Sequence, residues 1–166
     1  MADDAYENPR LAAIYDLSDP DRSDLDAYTS MVQEFGARSV LDIGCGTGTL
    51  ACRLAAQGIE VIGVDPAVAS LKVAQTKPWA DRVRWIHGTA QDLPAVTVDV
   101  VTMTANVAQV FLTDDEWQET LRAARAVLRP GGRLVFETRN PEAQAWLTWN
   151  RENTYHRTDF PKVGVV

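Results

Sequence analysis

Apolar and polar positions near the start of the chain follow a helical period. In SDLDAYTSMVQEF (residues 23–35), apolar side chains recur three or four positions apart and share one predicted helix face: Leu25, Tyr28, Val32 and Phe35. Ser23 stands where an N-cap residue is expected, because its hydroxyl can accept a hydrogen bond from a free backbone N–H of the first turn. The pattern therefore predicts a helix that begins just after Ser23.

From Ser39 onward, short apolar runs alternate with segments of helical period. Five runs are predicted to be strands: SVLDI (39–43), EVIGVD (60–65), RVRWIH (82–87), VDVVTM (98–103) and RLVFETR (133–139). The predicted helices are Thr47–Gln57 ended by Gly58, one starting at Pro66, one after the capping box Thr113–Glu116, and a last one over about 141–150. The residues RPGG (129–132) are predicted to form a turn.

This alternation predicts an α/β fold, an open, doubly wound, mostly parallel sheet with helices on both faces. The strands are dense in Val, Ile and Leu, which suits burial on both sides of the sheet. In such a fold the ligand lies at the carboxyl ends of the strands, where the strand order reverses. We expect a single domain made of an N-terminal helical cap (1–37), an α/β core (38–140) and a C-terminal helix and tail (141–166).

The charge balance narrows the classes of partner. The chain has 166 residues and a formal net charge of −7, so nucleic acid and anionic membrane surfaces are both disfavoured. No apolar stretch reaches the roughly 20 residues that a membrane-spanning helix needs. The only two cysteines, Cys45 and Cys52, have neither the number of a disulfide framework nor the spacing of a metal site. A reducing, cytoplasmic location without a metal is therefore predicted.

Three glycines in five positions, GCGTG (44–48), join the first predicted strand to the next helix. Glycine permits backbone angles that other residues avoid and lets a ligand approach the main chain. The dinucleotide fingerprint G-x-G-x-x-G would require glycine at position 49, which is Thr49, and no Gly-Lys-Ser/Thr of a phosphate-binding P-loop follows. The turn therefore predicts a ligand site of a different kind.

Four segments resemble successive motifs of the class I S-adenosylmethionine-dependent methyltransferases. They are VLDIGCGTGTLA (40–51), VIGVDPA (61–67), GTAQDLP (88–94) and LRPGGRLVFET (128–138). They occur in the family's order and on the expected elements, and the resemblance covers about residues 38–140. It implies a Rossmann-like class I fold, a cofactor-binding core, S-adenosyl-L-methionine as the cofactor and methyl transfer as the reaction.

The resemblance implies cofactor contacts at the ends of the first two strands. Asp42 matches the family's acid that orients the methionine part of the cofactor, and the glycines of 44–48 let the backbone approach its methionine and ribose portions. Asp65 matches the acid that accepts hydrogen bonds from both ribose hydroxyls, since a carboxylate offers two oxygens for charge-assisted bonds. A helix N-cap just before Pro66 is the alternative interpretation of Asp65.

Three further segments resemble cofactor-contacting parts of the family. Residues 90–92 match the segment that recognises adenine, with an ordinary loop carboxylate as the alternative for Asp92, and backbone carbonyls at 104–106 match the place where the ammonium group binds. Tyr15 resembles the N-terminal segment that closes over the cofactor, with a core or surface aromatic as the alternative. The implied cofactor-binding residues are Tyr15, Asp42, Gly44, Cys45, Gly46, Gly48, Asp65, Pro66, Ala90, Gln91, Asp92, Thr104 and Ala105.

The acceptor side carries fewer signals. Nucleic-acid amino-methyltransferases have Asn/Asp-Pro-Pro-Tyr/Phe after the fourth strand, whereas this chain has TANVAQVF (104–111), which favours a small-molecule methyl acceptor. Methyl transfer needs a general base only when the acceptor must lose a proton, so no catalytic residue is assigned. His87, Trp146 and Trp149 are predicted to be structural. Candidates for facing the acceptor are Asn106 and Gln109, with capping as the alternative, and Arg139 and Asn140, with a surface salt bridge or helix cap as the alternative. Glu137 either pairs near Arg139 or takes part in the chemistry, and His156 is a candidate base if the tail folds back.

The end of the chain departs from the family pattern. The family sheet has seven strands, the last two forming an antiparallel hairpin beside the fifth. Here only 27 residues (140–166) follow the fifth predicted strand. The departure predicts a truncated form whose fifth strand leaves an exposed sheet edge.

Two other functions stay open at this point. A nicotinamide-dependent oxidoreductase needs the wider glycine spacing and, in its short-chain class, a Tyr-x-x-x-Lys pair, but none of the four tyrosines has a lysine four residues later. A non-catalytic module that binds S-adenosylmethionine would carry every cofactor motif found here. Only activity on an acceptor separates that module from an enzyme.

Overall fold

A computed structural model of the chain describes residues 4–155, 157–160 and 164–165. The α-helices are α1 (Asp4–Glu7), α2 (Pro9–Ser18), α3 (Asp24–Glu34), α4 (Thr49–Ala56), α5 (Val68–Ala74), α6 (Asp114–Val127) and α7 (Arg151–Thr154). The strands are β1 (Ser39–Ile43), β2 (Glu60–Asp65), β3 (Val83–His87), β4 (Val98–Met103), β5 (Leu128–Phe136), β6 (Asp159–Phe160) and β7 (Gly164–Val165). Single 3₁₀ turns occur at Ala80–Arg82, Ala90–Asp92, Val107–Gln109, Pro141–Ala143 and Ala145–Thr148.

The main sheet has five strands in the order β3-β2-β1-β4-β5, and every neighbouring pair is parallel. In the central strand, Asp42 stands opposite Gly63 of β2 and Thr102 of β4. The strand order reverses between β1 and β4, so the crevice for a ligand opens at the carboxyl end of β1. The α/β, doubly wound fold class is confirmed.

Successive residues of β1 point to opposite faces of the sheet, and each face has its own core. Val40 belongs to the cluster that α3 and α4 cover, together with Leu25 and Leu54. Leu41 belongs to the cluster on the other face, where α6 contributes Ala124. Val40, Leu41, Leu25 and Leu54 are all fully buried, which holds β1 and its carboxyl end in a fixed position.

Two helix starts differ from the prediction. Ser23 precedes α3, but its side chain makes no capping bond because its backbone is already helical and its own N–H donates to Asp21. Pro66 lies outside α5, which begins at Val68. Ala67 is extended (φ −86°, ψ 101°) and occupies the N-cap position, and its N–H donates a hydrogen bond to Asp65. The capping box at Thr113 and Glu116 is confirmed, since both reciprocal bonds are present at the start of α6.

The C-terminal third also differs in two places. RPGG is not a separate turn but lies within β5, because Leu128 already pairs with Val98 and regular pairing with β4 resumes at Arg133. The continuous helix predicted over 141–150 is wrong. Gln144 has a left-handed backbone (φ 45°) that interrupts the segment, and 3₁₀ turns take its place. Exposed side chains such as Leu147 leave that segment without a buried apolar face to stabilise a longer helix.

The strands β6 and β7 form a small antiparallel pair apart from the main sheet. Among the described residues, no strand pairs with the outer edge of β5. Of the helices in the described ranges, none has the length and apolarity that crossing a bilayer requires. His156 lies outside the described residues.

Candidate functional site

A cavity of about 790 Å³ opens at the carboxyl ends of the strands, beneath the N-terminal helices. It brings together eleven of the thirteen predicted cofactor-binding residues. Those in its lining are Tyr15, Asp42, Gly44, Cys45, Gly46, Asp65, Pro66, Ala90, Gln91, Thr104 and Ala105. Gly48 and Asp92 lie outside the lining. Residues separated by up to 90 positions in sequence therefore surround one crevice at the point where the strand order reverses.

The glycine-rich turn after β1 uses left-handed backbone angles at Gly44, Gly46 and Gly48, with φ of 69°, 53° and 74°. A Cβ at Gly44 would lie 2.5 Å from Cγ2 of Val107, so a larger residue cannot fit there without displacement. A Cβ at Gly46 would meet no protein atom within 4 Å, which leaves open space beside its backbone. The turn thus presents bare main chain to the cavity.

Gly48 has a different environment from the other two glycines. A Cβ at this position would lie 2.5 Å from Cη2 of Trp85 and 2.8 Å from Cβ of Ala74. The small residue lets the ring of Trp85 and helix α5 pack directly against the start of α4. A packing role explains this glycine, and its predicted contact with the cofactor stays a prediction.

Asp65, at the end of β2, uses both carboxylate oxygens to organise the turn around it. Oδ2 accepts a hydrogen bond of 2.7 Å from the N–H of Gly46, and Oδ1 accepts one of 2.7 Å from the N–H of Ala67. Burial raises the pKa of Asp65, and these two N–H groups act in the opposite direction. Each oxygen has a second lone pair, so the carboxylate can still accept hydrogen bonds from a ligand in the cavity.

Asp42, at the end of β1, is almost completely buried. Its Oδ1 accepts a hydrogen bond of 2.8 Å from Oγ1 of Thr102. Burial raises its pKa to about 7; the bond from Thr102 opposes the shift and the nearby charge of Asp65 adds to it. A cation placed in the cavity beside Asp42 would favour the ionised carboxylate.

The predicted adenine side is formed by the 3₁₀ turn after β3. Ala90 and Gln91 line the cavity, whereas Asp92 turns back on its own loop. Oδ2 of Asp92 accepts hydrogen bonds from the N–H (2.8 Å) and the hydroxyl (2.9 Å) of Thr89, and these bonds lower its pKa. His87 lies outside the lining, with Nε2 3.1 Å from the backbone oxygen of Pro66. Asp92 therefore shapes the loop that presents Ala90 and Gln91.

The N-terminal helices close one side of the cavity through contacts that sequence reasoning missed. The rings of Tyr6 and Tyr15 meet edge to face at 5.8 Å, and both line the cavity. The hydroxyl of Ser70 donates to the backbone oxygen of Tyr6 over 2.9 Å, and the N–H of Val68 donates to Glu7. These bonds fasten α1 to α5. Because the partners are more than 60 residues apart, no local pattern indicates them.

Helix α2 is fastened to the glycine-rich turn by a partly buried cluster around Asp16. The hydroxyl of Thr47 donates to Asp16 over 2.7 Å, and Nζ of Lys77 lies 2.6 Å from the other oxygen of that carboxylate. Lys77 also donates to the hydroxyl of Thr49 over 2.7 Å. Tyr15, next to Asp16, is thereby held over the cavity.

A family model described as a methyltransferase domain matches residues 40–132, more than half of the chain. The chain belongs to the class I S-adenosylmethionine-dependent methyltransferases. The family implied by the four sequence motifs is thus confirmed, and with it S-adenosyl-L-methionine as the cofactor.

Known methyltransferases agree with this assignment. The cypemycin N-terminal methyltransferase of a Streptomyces species is 34% identical over 116 residues, which are 69% of this chain and 47% of that protein. The CcbJ methyltransferase from Streptomyces caelestis is 29% identical with a TM-score of 0.75, covering 86% of this chain and 61% of that one.

CalS10, an amino pentose methyltransferase from Micromonospora echinaspora solved with bound S-adenosylmethionine, is 28% identical with a TM-score of 0.69. The match covers 78% of this chain and 58% of that one. This methyltransferase chain spans about half the length of the curated relatives it matches.

The remaining wall of the methyltransferase cavity comes from the segment after β4 and from helix α6. It combines apolar and polar side chains, and its exposed members include Val110 and Leu112. Behind it, the ring of Trp117 packs against Phe111 at 5.3 Å and against Phe136 at 5.4 Å. The lining residues of this wall are Val107, Gln109, Val110, Phe111, Leu112, Glu116, Glu119 and Thr120.

Most acceptor-side candidates from the sequence lie just outside this wall. Gln109 lines the cavity, whereas Glu137 accepts a hydrogen bond of 2.5 Å from the hydroxyl of Tyr28. Arg139 donates to Asn106 over 3.0 Å. Asn140 caps the 3₁₀ turn that follows it, since its Oδ1 accepts from the N–H of Glu142. Asn106, Glu137, Arg139 and Asn140 therefore lie outside the lining of the methyltransferase cavity.

The two tryptophans expected to be structural are half-exposed rather than part of a core. Trp146 is 50% exposed and Trp149 is 52% exposed. The guanidinium of Arg139 lies 4.3 Å from the centroid of the Trp149 ring. Trp149 thus contacts the cation of Arg139, which is hydrogen-bonded to Asn106.

Proposed function

We propose that the protein is an enzyme that transfers a methyl group from S-adenosyl-L-methionine to a small-molecule acceptor. The observation that carries the proposal is Asp65, which lies at the end of β2 and is hydrogen-bonded to the glycine-rich turn beside an open cavity. A carboxylate held in this way suits the two hydroxyls of a ribose. The bare backbone at Gly46 leaves space for the sugar and the methionine portion.

Asp42 supports the same ligand through its charge. Its ionised form is disfavoured by burial in the free protein, as the pKa of about 7 indicates. A ligand that carries an ammonium and a sulfonium would relieve this cost, whereas an anionic pyrophosphate would increase it. The buried carboxylate of Asp42 therefore favours binding of an adenosyl sulfonium compound over binding of a nicotinamide dinucleotide.

Each part of the cavity has a role in this proposal. Asp65 and Pro66 hold the ribose, Ala90 and Gln91 contact the adenine, and Thr104 and Ala105 direct carbonyls to the ammonium group. Tyr6 and Tyr15 cover the cofactor from the N-terminal side and exclude water. The division into cap (1–37), core (38–140) and tail (141–166) belongs to the same proposal, with the cap acting as this cover.

When bound, the cofactor would supply an activated methyl group: an acceptor that attacks this carbon in line forms a bond to it while the carbon–sulfur bond breaks and S-adenosylhomocysteine leaves. The protein contributes alignment and a dry environment. The glycine-rich turn and Asp65 hold the adenosyl part, while the wall of Val110, Phe111 and Leu112 offers an apolar surface to the acceptor. No residue is assigned as a general base, because an acceptor that reacts as a neutral nucleophile needs none.

The class of acceptor is inferred from charge and from relatives. The net charge of −7 disfavours a phosphate backbone, and the cavity lining contains Glu116 and Glu119 on the acceptor side. The names of two similar proteins give cypemycin, at its N-terminus, and an amino pentose as what is methylated. We therefore propose a small molecule as the methyl acceptor and the cytoplasm as the place of the reaction.

Isothermal titration with S-adenosylhomocysteine tests cofactor binding, and titration with NADH is the matched comparison. We expect saturable binding of the first compound only; binding of NADH in its place would overturn the proposal. An acceptor screen that follows S-adenosylhomocysteine release then separates an enzyme from a non-catalytic binding module. Turnover with a small molecule supports the enzyme, and binding without turnover on any acceptor class supports the module.

A further inference from the structure

The turn after β4 enters the cavity with an unusual backbone. Ala105 and Asn106 are consecutive non-glycine residues with positive φ, 53° and 75°. The left-handed region is sterically unfavourable for residues with a Cβ, although asparagine tolerates it better than most. Such strained conformations persist only where surrounding contacts hold them. The contacts that hold this turn therefore influence the shape of the cavity.

Val107, the next residue, transmits the turn's conformation to the glycine-rich loop. Its Cγ2 lies 2.5 Å from the position that a Cβ on Gly44 would take, so the two segments are in direct contact. Val107, Ala105 and Gly44 all line the cavity. If the turn relaxed at Asn106, the side chain of Val107 would leave Gly44, and both walls of the cofactor site would shift.

Arg139 holds this turn from outside the cavity. Its Nε donates a hydrogen bond of 3.0 Å to Oδ1 of Asn106. Its guanidinium is also stacked on the ring of Trp149, 4.3 Å from the centroid, which restrains an otherwise mobile side chain. Arg139 follows β5 by three residues, so the bond ties the turn both to the sheet and to the C-terminal segment.

We propose that Arg139 is a positioning residue for cofactor binding that acts through Asn106. It keeps Asn106 in the left-handed conformation that places Ala105 and Val107 against the cofactor, and Trp149 keeps Arg139 in place. The inference rests on the proposed function only in the identity of the ligand. The hydrogen bond and the stack themselves are features of the free protein.

The first test compares Arg139→Ala with Arg151→Ala by titration with S-adenosylhomocysteine. Arg151 is a matched control, because its guanidinium is stacked on Tyr155 at 4.4 Å in the same segment and it lies outside the cavity lining. Loss of the bond to Asn106 should weaken binding about three- to tenfold, whereas Arg151→Ala should leave it unchanged. Equal affinities for wild type and Arg139→Ala, or equal losses in both variants, would overturn the proposal.

A double-mutant cycle with Asn106→Gly tests the route of the effect. Glycine adopts a positive φ without a steric penalty and has no side chain for Arg139 to hold. In the Asn106→Gly background, Arg139→Ala should therefore change affinity less than about twofold. The same loss in both backgrounds would show that Arg139 acts by another path and would refute the inference.

Hydrogen exchange of the free protein gives a readout that does not depend on the ligand. Amides of residues 104–110 should exchange faster in Arg139→Ala than in wild type or Arg151→Ala, and unchanged exchange would refute the inference by itself. Failure of the proposed function gives a different result: wild type would not bind S-adenosylhomocysteine at all, whatever the exchange at the turn.

Discussion

The N–H of Gly46 donates a hydrogen bond of 2.7 Å to Oδ2 of Asp65, which joins the glycine-rich turn after β1 to the end of β2. The carboxylate is thus part of the wall as well as a candidate ligand contact. Its other oxygen accepts from Ala67 and sets the start of α5. One side chain therefore controls the positions of two segments that line the cavity.

Asp65→Ala should weaken binding of S-adenosylhomocysteine about tenfold or more, because charge-assisted bonds to the ribose are lost and the turn loses its anchor. Isothermal titration measures the change. Asp65→Asn, which keeps one acceptor oxygen, should lose less. Asp81→Ala, in the exposed turn before β3, is the control and should bind like wild type. Unchanged affinity in Asp65→Ala would contradict the ribose assignment.

Gly44→Ala should destabilise the protein more than Gly58→Ala. Both positions have positive φ, 69° and 83°, so both variants incur the backbone penalty of about 1–2 kcal/mol. Only the Cβ at position 44 would also collide with Val107, while the Cβ at position 58 meets no atom within 4 Å. Urea unfolding measures the difference, and adding Val107→Ala to Gly44→Ala should recover the excess. Equal destabilisation of the two single variants would argue against the contact.

Binding of the cofactor product should weaken at acidic pH because of Asp42. Its pKa in the free protein is about 7, so it is mostly protonated in acid, and the ammonium group of S-adenosylhomocysteine prefers the ionised carboxylate. The affinity of wild type should fall by up to tenfold per pH unit between about pH 6.5 and about pH 5.5. Titrations across this range measure the slope. Asp42→Asn should show little slope, and a flat wild-type profile would refute the linkage.

Ionisation of Asp42 should lower the free energy of unfolding of the free protein, whereas it should raise the affinity for the ligand. The pKa of Asp42 in the folded protein, about 7, lies above the reference value of 3.8. The stabilisation that Asp42 contributes to the fold is therefore present in full below pH 3.8 and is lost as pH rises through 7. Asp42→Asn removes this loss. The variant should gain stability relative to wild type by roughly 2–3 kcal/mol on going from about pH 5 to about pH 8, as measured by urea unfolding. If Asp42→Asn were stabilised relative to wild type more at the lower pH than at the higher pH, a raised pKa of Asp42 would be contradicted.

Tyr28→Phe should destabilise the fold by about 1–2 kcal/mol, because Glu137 loses the hydroxyl that donates to it in a partly buried place. The same surroundings raise the pKa of Tyr28, chiefly through burial and then through this bond. Chemical denaturation measures the loss. Tyr155→Phe, at a 55% exposed ring, is the control and should be near neutral. An equal effect of both variants would exclude the bond to Glu137 as the cause.

Local pattern was sufficient for the first four strands of the main sheet, and the four motifs were sufficient for the family. The apolar runs at 39–43 and 60–65 are strands, and consecutive residues such as Val40 and Leu41 are buried on opposite faces of the sheet. Gly44 and Gly46 lie in the turn after the first of these strands and Asp65 ends the second, so their meeting at the carboxyl edge follows from the parallel strand order. The position of a site residue can be predicted from sequence in this way when its own strand or turn determines its contacts.

Contacts between distant segments were decided only by the tertiary structure. Tyr6 lines the cavity because α1 docks on Ser70. Asp92 turns away from the cavity because the N–H and the hydroxyl of Thr89 both donate hydrogen bonds to it. Pro66 lies outside its predicted helix, since Ala67 is extended and occupies the N-cap position of α5. Local sequence specifies which backbone groups and side chains are available. Which of them pair is set by the free energy of contacts that exist only when the whole chain is folded.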